Sequence, residues 1–293
     1  MPSPVVLEAR ATTRRAGRTF ALACRLLPRT VRDDVYLTYL VFRTLDDLVD
    51  SDDQRAQPRL AAVEAWSEHR PARSPEADVL GELDTRYRIP HGALWDFCQG
   101  MRDDVARRTI LTEEDLDLYC YRVAGTVGLV MASILGVTDE EQALPAAVAL
   151  GQAMQRTNIL RDIDEDRAHG RAYIAQETVD RFGRPLPGRR EALLRDQIAR
   201  ANALYELAAP GIPLLRNGAY AVSCAARMYR EILMQIERDG YGARPGRSVV
   251  SVPRKLILAA GARPRRAQAA RRSRMGRAGA HASSSAAVSR SAS

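Results

Sequence analysis

Two helix-patterned segments each carry a polar stripe through otherwise apolar surroundings, and no other feature restricts the fold as much. The first stripe runs Tyr39, Arg43, Asp46, Asp50 and the second Gln155, Asn158, Asp162, Asp166. Spacing of three and four residues places each set on a single helical face. Their neighbours (Leu40, Val41, Phe42, Leu45, Leu48 and Val49; Ala153, Met154, Ile159, Leu160 and Ile163) are residues that fold inward. Burying an unpaired carboxylate costs several kcal/mol even after relaxation. Four such groups call for cations, most simply Mg²⁺, and for an anionic ligand that the metal holds.

The rest of the chain is patterned for helices, without strand-like alternation. The periodicity predicts helices over about 18–27, 29–51, 56–69, 76–88, 90–108, 112–136, 140–169, 188–209, 213–239 and 249–262. Prolines and glycines separate them, notably Pro28, Pro71, Pro75, Pro90, Pro185, Pro187 and the stretch 210–213. Thr112 with Asp115 predicts a capping box in its acidic form, opening the helix of Tyr119. The expected architecture is all-α, a single-domain bundle around a central cavity.

The 293 residues carry 44 basic and 36 acidic side chains. Eight arginines and no acidic residue fall in 262–293, so the remainder is balanced and the excess belongs to the tail. This argues against a nucleic-acid-binding body. The division expected is a catalytic domain over 1–262 and a basic, disordered tail over 263–293, able to touch anionic membrane at most. Cys24, Cys98, Cys120 and Cys224 read as core thiols, and neither they nor His69, His91, His169 and His281 have zinc-ligand spacing. No signal peptide opens the chain, and no apolar run reaches the ~18 residues of a membrane span. The expected location is the cytoplasm or the membrane periphery.

Set opposite each other, the stripes supply oxygen ligands for Mg²⁺ (or Mn²⁺), and Arg43, Arg161 and Arg171 can complete a clamp on diphosphate. A diphosphate held in this way becomes a good leaving group. An allylic residue left behind would be a carbocation, which aromatic faces stabilise; Phe20, Tyr39, Tyr119 and Tyr229 are candidates. Asp103-Asp104 and Glu113-Glu114-Asp115 read instead as solvated faces.

The stretches YLVFRTLDDLVD (39–50), YCYRVAGTVGLVM (119–131), QRTNILRDIDEDRAHGRAY (155–173) and MYREILMQIERDGY (228–241) resemble the squalene/phytoene synthase family. Arg18-Thr19-Phe20 with the following LLP, and RKL at 254–256, extend the likeness. The resemblance implies an isoprenoid synthase fold and head-to-head condensation of two prenyl diphosphates, such as farnesyl or geranylgeranyl diphosphate, through a cyclopropyl intermediate. By that analogy Asp46, Asp50, Asn158, Asp162 and Asp166 hold Mg²⁺. Arg18, Thr19, Arg43, Arg161, Arg171, Tyr229 and Arg247 contact diphosphates. Tyr119 faces the cavity near Gln155, Val123 and Val127 line the prenyl channel, and Gly125 and Gly128 allow close helix approach. NADPH would be needed only for a squalene-type product. Thr19, Arg156, Ala175 and the glycine-rich 240–247 depart from the family pattern. Arg156 and Arg247 in particular are compatible with another acceptor, an aromatic small molecule receiving a dimethylallyl or geranyl group, or with cyclisation. A catalytically inactive assembly protein is the remaining alternative, and the retained aspartates speak against it.

Overall fold

A computed structural model describes residues 3–261, with the side chains of Ala16 and Arg18 outside that description. Thirteen α-helices are formed among the described residues: α1 (Pro4–Ala16), α2 (Arg18–Cys24), α3 (Arg29–Asp50), α4 (Ala56–Ser67), α5 (Pro75–Asp84), α6 (His91–Val105), α7 (Glu113–Cys120), α8 (Thr126–Leu135), α9 (Glu140–Ala168), α10 (Gln176–Phe182), α11 (Glu191–Ala208), α12 (Ala219–Arg238) and α13 (Val252–Ala260). A π-helical turn, Tyr121–Gly125, joins α7 to α8, and a 3₁₀ turn, Ala209–Leu214, follows α11. The sole extended pairing among these residues is the isolated bridge Val137–Leu215. The all-α expectation holds, and the basic tail lies outside the described residues.

Caps explain several boundaries. Thr112 and Asp115 form the reciprocal box at α7: the Asp115 N–H donates to Thr112 Oγ1 at 3.1 Å and the Thr112 N–H to Asp115 Oδ2 at 3.1 Å. Sequence periodicity missed α1 and α10. Ser3 and Pro4 start α1 as N-cap and first residue, and Arg10 ties it to Asp33 of α3 through two guanidinium nitrogens at 2.7–3.0 Å. The helix expected from 213 begins only at Ala219, because Gly218 takes a left-handed conformation before it.

Two apolar cores organise the bundle. One gathers α3, α4, α5, α6 and α8 around Leu45, Leu60, Leu94 and Phe97. The other gathers α7, α9, α11 and α12 around Leu116, Leu160, Leu194 and Leu233. Val123, in the π turn, packs against both. The continuous rod Glu113–Leu135 is long and apolar enough to cross a membrane by length and composition, although charged residues down to Arg122 interrupt it. It packs against α6 and α9 inside the bundle. Its approach to α9 is very close: a Cβ on Gly128 would lie 2.3 Å from the Ala147 carbonyl oxygen, and one on Gly151 2.2 Å from that of Ala124. Glycine is required at both positions, as expected for Gly128.

Candidate active site

The stripe of α3 is positioned by its opposite face, where Val35, Phe42, Leu45 and Val49 are buried. Ala153, Thr157, Leu160 and Ile163 do the same for α9. The two stripes look at each other across a gap, and side chains bridge it. Arg171 Nη1 donates to Asp50 Oδ1 at 2.5 Å and to the Tyr173 hydroxyl at 3.1 Å. Arg171 reaches back because Gly170, in the left-handed region at φ +73°, reverses the chain after α9. The Arg171 N–H then caps the Asp166 carbonyl at 2.8 Å.

Three of the four aspartates are engaged by guanidinium groups. Arg43 bonds Asp46 at 2.8 Å and also pairs with Asp47. Arg161 holds both oxygens of Asp162, at 2.8 and 2.5 Å. Arg247 Nε adds a contact to Asp162 at 2.9 Å. The glycine-rich segment carrying Arg247 is anchored rather than loose. The Gly246 N–H donates to Asp164 at 2.9 Å, and Asp164 is gripped by Arg190 through two bonds of 2.8 Å.

Negative charge nevertheless remains in surplus. Burial, then the Asp50 charge, then Asp104 and Asp47 push the Asp46 carboxyl up to about 7 against the pull of Arg43. Burial, Asp162, Glu165 and Asp50 do the same for Asp166, also to about 7. Asp50 thus acts on both stripes. The buried Oδ1 of Asn158 has no hydrogen-bond partner, while its amide nitrogen donates to Gln155 at 3.3 Å. A hard oxygen-only donor set, an orphaned amide oxygen and excess carboxylate charge fit Mg²⁺. Among the described residues no three acidic, His or Cys side chains form a ready-made metal cluster. Magnesium does not require one, since one or two carboxylates plus phosphate oxygens and water complete its shell.

Asp104 was read from sequence as a solvated residue, and the structure corrects this. Both of its oxygens accept hydrogen bonds at 3.1 Å, from Tyr119 and from Tyr173, whose rings stack 5.1 Å apart. Burial raises its carboxyl to about 6, with Asp50 adding to the effect against the two tyrosine bonds. Tyr173 was missed as well. No local signal reveals either residue, because the triad joins α6, α7 and the loop after α9. Glu113 is a second correction. It is buried and accepts from Arg156 at 2.9 Å, from Gln197 at 2.7 Å and from Thr178. Arg156 itself is 2% exposed and turns to Glu113, Asp117 and Gln197, away from the stripes. Its guanidinium is thus committed to this cluster rather than to the stripes.

The remaining candidates divide simply. Phe20 stacks on Tyr39 at 4.8 Å, and the phenols of Tyr39 and Tyr229 feel one another electrostatically. Burial raises the Tyr229 phenol while Arg161, Arg247 and Arg43 draw it down. Thr19 is half-buried on α2, and the Arg18 side chain lies outside the described residues. Val123 and Val127 stay half-buried beside Met131 within the bundle.

A family model described as squalene/phytoene synthase matches residues 13–255. The 15-cis-phytoene synthase of Synechococcus elongatus is 36% identical over 275 residues, covering 85% of this chain and 89% of that protein. The phytoene synthase of Thermus thermophilus is 36% identical over 235 residues, covering 76% and 80%. Among solved structures, a dehydrosqualene synthase in complex with ligand superposes with a TM-score of 0.80 at 28% identity, covering 88% of this chain and 95% of that one. A squalene synthase from Alicyclobacillus acidocaldarius gives 0.70 at 25% identity, covering 82% and 95%.

Proposed function

The chain belongs to the squalene/phytoene synthase family, and from that premise we propose that it joins two prenyl diphosphates into a phytoene-type hydrocarbon without NADPH. Enzymes of this family condense prenyl diphosphates head to head, and the chain is a prenyltransferase of that kind. The observation that carries the reading is the pair of facing stripes, with Asp50 bonded to Arg171 across the gap. The phytoene-type choice rests on the curated relatives, which are phytoene synthases.

Asp46, Asp50, Asn158, Asp162 and Asp166 would hold Mg²⁺, with Mn²⁺ as a substitute. The metal supplies positive charge against which the diphosphate departs. Arg43, Arg161, Arg171 and Arg247 already sit at the aspartates and can turn to phosphate oxygens in bidentate contacts. By the family resemblance we add Arg18 and Thr19 to that clamp. The buried Tyr229 phenol stays protonated beside Arg161 and Arg247 and can donate to a phosphate oxygen.

Ionisation leaves an allylic cation among aromatic faces, those of Phe20, Tyr39, Tyr119 and Tyr173, which stabilise charge without offering a nucleophile. Burial pushes the Tyr119 phenol well above its ordinary range, so it too keeps its proton. Gln155 sits beside Asn158 at the same face, and Val123 and Val127 flank the prenyl chain. The double bond of the second prenyl diphosphate captures the cation, giving the cyclopropyl intermediate with loss of a proton. We assign this activity to residues 1–262, in the cytoplasm, with 263–293 dispensable for catalysis and free to contact a membrane surface.

Incubation of the purified protein with Mg²⁺ and geranylgeranyl or farnesyl diphosphate, with and without NADPH, tests the assignment. A C40 hydrocarbon formed without NADPH is expected. A C30 product requiring NADPH would make it a squalene-type enzyme. Diphosphate release without a dimeric product would overturn head-to-head condensation and point to another acceptor.

A further inference from the structure

A second concentration of positive charge lies away from the aspartate stripes, where α1, the end of α2 and the start of α3 meet. Arg10, Arg14, Arg25, Arg32 and Tyr36 line a cavity of about 180 Å³ there, far above the roughly 10–15 Å³ that one water needs. Only one of the four guanidinium groups engages a carboxylate among the described residues, namely Arg10 with Asp33. Arg32 donates to the carbonyls of Leu27 and Arg25, and Arg14 to that of Arg10. Arg25 donates no side-chain hydrogen bond among these residues. Three positive charges thus face one cavity without anionic partners.

Tyr36 supplies the independent observation. The residue is 7% exposed overall and lines the cavity, and its hydroxyl makes no hydrogen bond to any described residue. Burial and Cys24 raise this phenol, whereas Arg32, Arg10 and Arg25, from the lining of the same cavity, pull it down. A protonated phenol among arginines is a donor set for an oxyanion with several acceptor atoms.

We propose that this cavity is a second phosphate-binding site, distinct from the catalytic clamp, which takes the phosphate or diphosphate group of a free anion or of an anionic lipid headgroup. Occupancy would tie α1 and α2 to α3 one helical turn from Tyr39. The Gly17 turn between α1 and α2 already touches Tyr39 there: a Cβ on Gly17 would lie 2.8 Å from the Tyr39 hydroxyl. The site stands whatever the acceptor of the catalysed reaction.

The test titrates the full chain with inorganic diphosphate by calorimetry in EDTA, so that the aspartate stripes carry no metal. A parallel arm measures co-flotation with phosphatidylcholine vesicles containing phosphatidic acid. Wild type is compared with Arg14→Gln/Arg25→Gln and with Tyr36→Phe, so binding by the arginine-rich tail is common to all and cancels. The double variant should lose about tenfold or more in affinity, the worth of one or two charge-assisted hydrogen bonds. Tyr36→Phe should lose several-fold with its thermal midpoint unchanged, and it carries the test alone if the double variant does not fold. Loss in the diphosphate arm identifies a free anion, and loss only with vesicles identifies a headgroup. Equal binding by wild type and variants in both arms would overturn the site.

Discussion

Asp50 and Arg171, 121 residues apart in sequence, meet at 2.5 Å and close the gap between the two acidic helices. The guanidinium also donates to Tyr173, whose hydroxyl holds Asp104. Arg171→Gln should therefore cut kcat/KM by about 100-fold or more, since a charge-assisted clamp on a leaving group is worth roughly 3 kcal/mol. Steady-state kinetics with a circular-dichroism melt checks this, and the melt should move little.

Asp46→Asn and Asp162→Asn each replace a carboxylate by a neutral amide of the same shape. Turnover should fall by about 10²–10³, the scale of losing one preorganised electrostatic contact. The metal-free fold should be retained. Turnover at wild-type level in either variant would refute the metal assignment.

Asp104 offers a sharper test, because it is not one of the family-like aspartates. Asp104→Asn keeps an acceptor for only one of the two tyrosine hydroxyls. We expect turnover to drop about tenfold, with Tyr119→Phe and the double variant no worse than the larger single effect. Fully additive losses would show that the residues act separately.

Glu113 sets a pH dependence remote from the reaction. Burial opposes its ionisation, but the bonds from Thr178, Arg156 and Gln197 and the Arg156 charge prevail, holding it below the ordinary glutamate range. A depressed folded value means that its stabilising effect is present above the unfolded value near ~4.3 and is lost as pH falls through the folded one. Glu113→Gln should flatten the acid limb of the thermal midpoint below about pH 4. At pH 7 it should cost about 3 kcal/mol, the lower end for breaking a buried pair. Product identity should not change.

Gly128→Ala forces a methyl group to 2.3 Å from a backbone oxygen of α9. The helices must part, at about 1–3 kcal/mol or more. Chemical denaturation should show the loss, and a variant as stable as wild type would mean that α8 and α9 are not held together at this point.

The stripes were legible because a helical period leaves a trace in local sequence: Asp46 and Asp50, or Asp162 and Asp166, are neighbours on one face before any tertiary contact forms. The same holds for the Thr112–Asp115 cap. What stayed hidden depends on partners distant in sequence. Glu113 is buried only because Arg156, 43 residues on, meets it, and Asp104 belongs to the site only because two tyrosines from other segments reach it. The direction of Arg156 stayed hidden for the converse reason, since a charge inside an apolar pattern does not show which way it points. Helix α1 owes its place to Arg10 and Asp33, a link across 23 residues that periodicity does not report.

The arginines seated on the aspartates give the site the character of a salt awaiting metathesis. Asp46, Asp50 and Asp162 each carry a guanidinium counter-ion. A ligand that brings metal cations and diphosphate anions together supplies a new partner to both halves of every pair. Either ion arriving alone would satisfy one half and strand the other. On the proposed assignment, entry of the two would be coupled, and ionisation of a prenyl diphosphate would wait until both are in place.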